Sequence, residues 1–229
     1  MKLDIKGMIT NDDDAEIYRD WFGMTVTSPS DILANLPIDG SDLEIGINSG
    51  GGEVDAANEI YTALRNYSGK VITQIESSAY SAASIIAMAG DTIQISPVAQ
   101  LMIHNASTYA GGNHNDLDKT SNALKSTDKA IAKAYSVKTG RPVDEFLDLM
   151  DKETWINADD AVELGLVDEV MNFDKEPVTN SVSNVLPRKV INRIKNLVDE
   201  NKQLKNNATD SQPSEHDELV QAKLAILRK

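Results

Sequence analysis

Three histidines and no cysteine bound the nucleophilic chemistry open to this 229-residue chain. Thiolate catalysis, disulfides and thiolate metal sites are excluded. His216 falls in a polar stretch with a proline, and His114 in a Gly111-Gly112-Asn113-His114-Asn115 loop. His104 instead closes an apolar run, Leu101-Met102-Ile103. A histidine there can act as a general base or pack as a structural residue. The serine that could pair with it is Ser81, which opens an alanine-rich segment, Ala82-Ala83-Ser84. Small neighbours leave a hydroxyl accessible and let a substrate backbone approach. At a helix start, free N–H groups also point at any negative charge that develops there. Ser81 could equally be an N-cap, and Ser84 a serine packed on the helix. Gly50-Gly51-Gly52 offers another set of N–H donors, of the kind acyl transfer needs for its oxyanion. A phosphate loop would need a lysine followed by Ser or Thr after its last glycine. Glu53-Val54 stands there instead, and an acid would repel phosphate.

These residues must be held by strands that end where helices begin. Leu43–Ile47 alternates and is β-branched, so it reads as a strand running into the glycine turn. A helix follows, with Ala56, Ala57, Ile60, Tyr61 and Leu64 on one face. Val71–Ile75 is the next strand, then a small-residue turn, then a helix over Ser81–Ala89 stopped by Gly90-Asp91. Leu3–Ile9, Thr92–Ile95, Gln100–Ile103 and Leu166–Met171 read as further strands. Leu117–Lys138 is a long helix closed by Gly140 and Pro142, and Asn157 caps a helix through Leu164 that Gly165 ends. Strand, tight turn and helix occur twice in succession, which predicts an α/β fold with a parallel sheet and crossover helices. Ligands gather at the strand ends of such sheets.

The apolar fraction of 41% and charged fraction of 25% suit a globular protein, and a chain of this length can bury one substantial core. A net charge of −14 disfavours nucleic acid and anionic membranes as partners. No signal peptide is visible, and Ala79–Gly90 is too short to span a bilayer. The expectation is a cytoplasmic protein. Composition shifts near Met171, predicting a compact domain over 1–171 and a polar tail over 172–229. In the tail, Val190, Ile194, Leu197, Asn201 and Leu204 follow a 4-3-4-3 spacing, either a short coiled-coil seam or one amphipathic helix. Residues 206–217 read as a linker, and 219–227 as one more short helix.

Four segments, in order, resemble the proteolytic subunit of the Clp protease family. Ile47-Asn48-Ser49-Gly50-Gly51-Gly52 is similar to the family's Asn-Ser-Pro-Gly-Gly turn, with Gly50 in place of proline. Ser78-Ala79-Tyr80-Ser81 is similar to its nucleophile turn, with Tyr80 in place of alanine. Met102-Ile103-His104-Asn105 and Ala161-Val162-Glu163-Leu164-Gly165-Leu166-Val167-Asp168 are similar to its base and closing motifs. The resemblance covers residues 43–170 and implies the Clp protease and crotonase-like fold. It implies Ser81 as nucleophile, His104 as general base, and the N–H groups of Gly52 and Ala82 as oxyanion donors. It implies a handle in the long helix, by which heptameric rings pair into tetradecamers, and a substrate-flanking strand around 108–112. No metal or cofactor is implied. The family's third acid falls on Glu153, with Asp151 two residues away.

The first strand so near the start, together with the tail, is similar to the bacteriophage branch of head-maturation proteases. That likeness implies an ATP-independent serine endopeptidase acting on capsid or scaffold protein in the host cytoplasm. Two alternatives remain open on sequence: a crotonase-type acyl-CoA enzyme, and a degenerate protease kept as an assembly or scaffold protein.

Overall fold

The computed structural model describes residues 1–173, together with Arg193, Lys195, Leu197 and Val198. The chain divides into two compact units, Met1–Asp174 and Lys175–Lys229. In the second, the four described positions are helical and exposed. Most of the heptad spacing, the 206–217 linker and the 219–227 helix lie outside the described residues.

The first unit is built on a sheet whose strands run β1 (Lys2–Ile9), β2 (Val26–Thr27), β3 (Leu43–Gly52), β4 (Val71–Tyr80), β5 (Thr92–Ile95), β6 (Gln100–Ile103), β7 (Thr154–Asn157) and β8 (Glu169–Val170). Its main order is β2-β1-β3-β4-β5-β8, all parallel. The helices are α1 (Asp12–Glu16, continued by a π-helical turn over Ile17–Trp21), α2 (Pro29–Leu33), α3 (Val54–Arg65), α4 (Ala82–Ala87), α5 (His114–Thr139), α6 (Val143–Asp151) and α7 (Ala158–Glu163). Strand β4 changes partner along its length. Its first half pairs with β5, from Ile72 opposite Thr92 to Ile75 opposite Ile95. Its second half, Ser78–Tyr80, pairs with β6. Strand β7 then adds antiparallel to β6. The switch delivers the end of β4 and the end of β6 side by side.

The strands alternate buried and more exposed positions, so one face of the sheet carries the core while the other presents Glu44, Gln74 and Gln94. Ile45 and Ile47 of β3, Val71 and Ile75 of β4, and Ile93 and Ile95 of β5 are all buried. Helix α4 is buried at every position, its alanines and isoleucines in the core and its one polar residue, Ser84, satisfied by hydrogen bonds. Helix α5 divides in two. Most positions before Asp128 are exposed, while Asp128, Ile131, Ala132, Ala134 and Tyr135 are buried. At 26 residues it spans about 39 Å, so its N-terminal half stands out from the first unit as a handle.

Several boundaries differ from the sequence expectation. Both small-residue turns, at 50–52 and 76–80, are continuations of strands β3 and β4. Glycine and serine lack strand propensity, but a neighbouring strand supplies the hydrogen bonds. The last strand shrinks to Glu169–Val170, its pairing limited to Gln94 and Ile95 of β5. Residues 108–112 are not a strand. No strand lies beside them among the described residues, and Tyr109 is fully exposed. Helix α6 carries the i, i+3, i+4, i+7 pattern Val143, Phe146, Leu147 and Met150, which the sequence reading passed over, while the four-residue strand β7 is too short and too exposed to show one.

Candidate active site

Ser81 stands at the elbow between β4 and α4. Its backbone takes φ 53° and ψ −125°, a region L-residues rarely enter. Such a conformation costs about 1–3 kcal/mol. It is held by the Ser81 N–H donating to the Met102 carbonyl at 2.8 Å. The side chain makes no capping bond to α4. Instead Ser81 Oγ lies 2.7 Å from His104 Nε2. The geometry thus departs from the N-cap alternative. When Ser81 is the donor, Nε2 is the bare nitrogen and Nδ1 carries the proton.

His104 follows directly on β6, so the register that sets the end of β4 beside β6 also sets the imidazole beside the hydroxyl. The next residues are tied down by the handle helix: the Ala106 N–H donates to buried Asp128 Oδ1 at 2.7 Å.

The two acids behave differently. Ile103 pairs with Thr154 at the last step of the antiparallel β6–β7 ladder, and Glu153 precedes that pair in an exposed turn. Glu153 sits in the left-handed region at φ 49°. Its carboxylate accepts from Trp155 Nε1 at 3.3 Å and makes no described hydrogen bond to His104. Asp151 accepts from Asn105 Nδ2 at 2.6 Å, leaving Asn105 Oδ1 buried without a partner. The structure therefore brings Ser81 and His104 together, while the Glu153 side chain is turned to tryptophan. His114 opens α5, exposed and away from this elbow. His216 lies outside the described residues.

The glycines at the end of β3 are required by close approach on both sides. A side chain at Gly51 would meet the Tyr80 carbonyl oxygen at 2.6 Å and Ser81 Cβ at 2.8 Å. One at Gly52 would meet the Ile9 carbonyl oxygen at 1.9 Å. Gly52 and Ala82 border, with Ser81 and His104, a cleft of about 70 Å³ whose other walls include Val54, Ile85 and Ile131. Ala82 is the first residue of α4, so its N–H has no partner within that helix. Among the described residues, no group of three His, Cys, Asp or Glu is arranged to hold a metal.

Sequence reasoning missed three supports of this site: Asp128, Tyr135 and Glu53. Glu53 accepts from Thr10 Oγ1 at 2.7 Å and from Asn11 Nδ2 at 3.0 and 3.1 Å, fastening the β3 end to the segment after β1. Asp128 and Tyr135 lie seven residues apart on α5, a spacing that places them on one helix face. That spacing was the available signal.

With this geometry in view, the comparisons decide the lineage. The Clp protease family model matches residues 32–174, more than half of the sequence. The chain belongs to the Clp protease family. It is 31% identical over 134 residues to the ATP-dependent Clp protease proteolytic subunit of Bacteroides fragilis, covering 58% of this chain and 65% of that one. Against the subunit of Deinococcus radiodurans it is 28% identical over 137 residues, covering 59% and 67%. Against proteolytic subunit 1 of Chlamydia caviae it is 29% identical over 133 residues, covering 56% and 70%. The chain thus spans about two thirds of the length of the curated relatives it matches. The mixed α/β architecture with its mostly parallel sheet is the fold this family implied. No described helix is long and apolar enough to cross a membrane.

Proposed function

We propose that this protein is a serine endopeptidase in which Ser81 attacks the scissile carbonyl and His104 takes its proton. One observation carries the reading: the 2.7 Å contact between Ser81 Oγ and His104 Nε2, made across a strained elbow rather than within one element. Strain of this kind persists where the surroundings over-determine it, and a reactive hydroxyl is a reason for it. In the first step the hydroxyl proton passes to Nε2 as Oγ bonds to the carbonyl carbon. The resulting oxyanion is held by the N–H groups of Ala82 and Gly52. His104 then returns the proton to the leaving amine, and water repeats the sequence on the acyl-enzyme. The walls Val54, Ile85 and Ile131 suit a small or medium apolar side chain next to the cleaved bond.

Glu153 is the acid we assign to orient His104. Its place beside Thr154, which pairs with Ile103 just before the histidine, supports this.

The relatives are proteolytic subunits, and we extend to this chain a homo-oligomer of seven or fourteen copies acting on protein substrates. The narrower reading is ATP-independent processing of a capsid or scaffold protein, with residues 172–229 as a targeting tail. It is supported by the likeness of the motifs and tail to the phage branch. Incubation with purified capsid and scaffold proteins without nucleotide tests it, and uncut substrates would set it aside.

The test of the chemistry is labelling by a fluorophosphonate, which reacts only with an activated serine. We expect the label on Ser81, and Ser81→Ala to lose both the label and several orders of magnitude in kcat with its fold intact. An unlabelled Ser81 in the assembled protein would leave the non-catalytic assembly role as the better reading.

A further inference from the structure

The carbonyl of Ser81 accepts two hydrogen bonds from one residue. The Ser84 N–H donates to it at 2.9 Å and the Ser84 hydroxyl at 2.6 Å. Ser84 Oγ also lies 2.7 Å from the Tyr135 hydroxyl. The direction of this chain follows from counting protons. A carbonyl oxygen only accepts, so the single hydroxyl proton of Ser84 is spent on Ser81. Tyr135 must then be the donor to Ser84. The order is Tyr135 O–H to Ser84 O–H to Ser81 C=O. Both side chains are buried, at 1% and 0% exposure, so water does not compete. Burial pushes the Tyr135 phenol well above its ordinary value of 10.0, which keeps the donor proton in place at any working pH.

The Ser81 carbonyl belongs to the same peptide group as the Ala82 N–H. That group is planar and trans, so fixing the direction of the oxygen fixes the N–H on the opposite side. Drawing electron density toward the carbonyl oxygen also makes the N–H a stronger donor, and hydrogen bonds in series strengthen one another. We propose that Tyr135 and Ser84 form a positioning relay that aims and polarises the Ser81–Ala82 peptide, making the Ala82 N–H a preorganised oxyanion donor governed from the handle helix. This rests on the reading of Ser81 as nucleophile. Neither side chain touches substrate atoms, and each acts through the peptide group. Tyr135 is held in turn by Phe146 of α6, with ring centroids 5.6 Å apart, so the relay ends on packed helices rather than on a loop.

The experiment compares Tyr135→Phe, Ser84→Ala and the double variant in the full-length assembled protein. We expect each single change to lower kcat about three- to tenfold, the worth of one neutral hydrogen bond, with KM little moved. The double variant should be no slower than Ser84→Ala, because the tyrosine acts only through the serine. In the acyl-enzyme, the infrared stretch of the acyl carbonyl should move to higher frequency in both variants, a sign of a weakened oxyanion hole that loss of packing alone would not give. An unchanged kcat and carbonyl frequency in Tyr135→Phe would overturn the relay, as would a Tyr135→Phe effect that multiplies fully with that of Ser84→Ala. Should Ser84→Ala fail to fold, Tyr135→Phe, which removes one atom, decides by the carbonyl frequency. Fluorophosphonate titration of the unaltered protein separates the two ideas. Labelled Ser81 with no change in the variants removes the relay alone, whereas no label on Ser81 removes the nucleophile and the relay with it.

Discussion

At His104 the imidazole has its serine but not yet a carboxylate. His104→Ala should be as inactive as Ser81→Ala, because the two act as a unit. Glu153→Gln should lower kcat strongly and Asp151→Asn far less, since Asp151 is engaged with Asn105. Steady-state peptide hydrolysis by the two acid variants checks this, and the opposite ranking would transfer the orienting role to Asp151. The histidine was legible in the sequence because it closes a patterned apolar run, and the serine because it opens an alanine-rich segment after a small-residue turn. Glu153 was singled out only through the spacing of the closing motif. The conformation of Glu153, in the left-handed region at a turn, leaves no trace in local pattern. Tyr135 and Ser84 were invisible as a pair, because 51 residues separate them and each alone looks like an ordinary helix residue.

Helix α5 does two jobs along one face. Asp128 secures the chain just after His104, and Tyr135 reaches the elbow of Ser81. Asp128→Ala should therefore free the Ala106 N–H and let the imidazole wander. The expected loss is about 1–3 kcal/mol of stability together with a fall in kcat, read by thermal unfolding and peptide hydrolysis on one preparation. A large stability loss with kcat untouched would show that the contact serves the fold alone. The sequence predicted the end of this helix, where Gly140 takes φ 72°, but set its start three residues late; Asn113, read as loop, caps it by accepting from the N–H groups of Asn115 and Asp116. The residue pattern alone did not show which half packs; the protruding handle was expected only from the family resemblance. Alternation of polar and apolar residues reports burial, and a segment polar on all sides gives no direction. The strand ends at 50–52 and 76–80 were misjudged for a related reason: their residues are small, and the pairing that makes them strands is supplied from elsewhere in the chain.

The exposed half of α5 bears on assembly. With the family's ring organisation extended to this chain, Leu117, which is exposed there, would lie where two rings meet. Leu117→Asp should shift the sedimentation pattern from fourteen copies toward seven. A monomer at micromolar concentration in the unaltered protein would count against the ring proposal. Stability ties in with the elbow of Ser81. A glycine accepts φ 53° with far less strain than serine, offset in part by its greater freedom when unfolded. Ser81→Gly should therefore be more stable, by about 1 kcal/mol, or about 2–4 °C in Tm, and a scanning calorimeter would read it. The same comparison carries an evolutionary corollary. In a lineage selected for abundance and released from proteolysis, position 81 would come under pressure to drift toward glycine, which makes that one position a marker to read for lost activity.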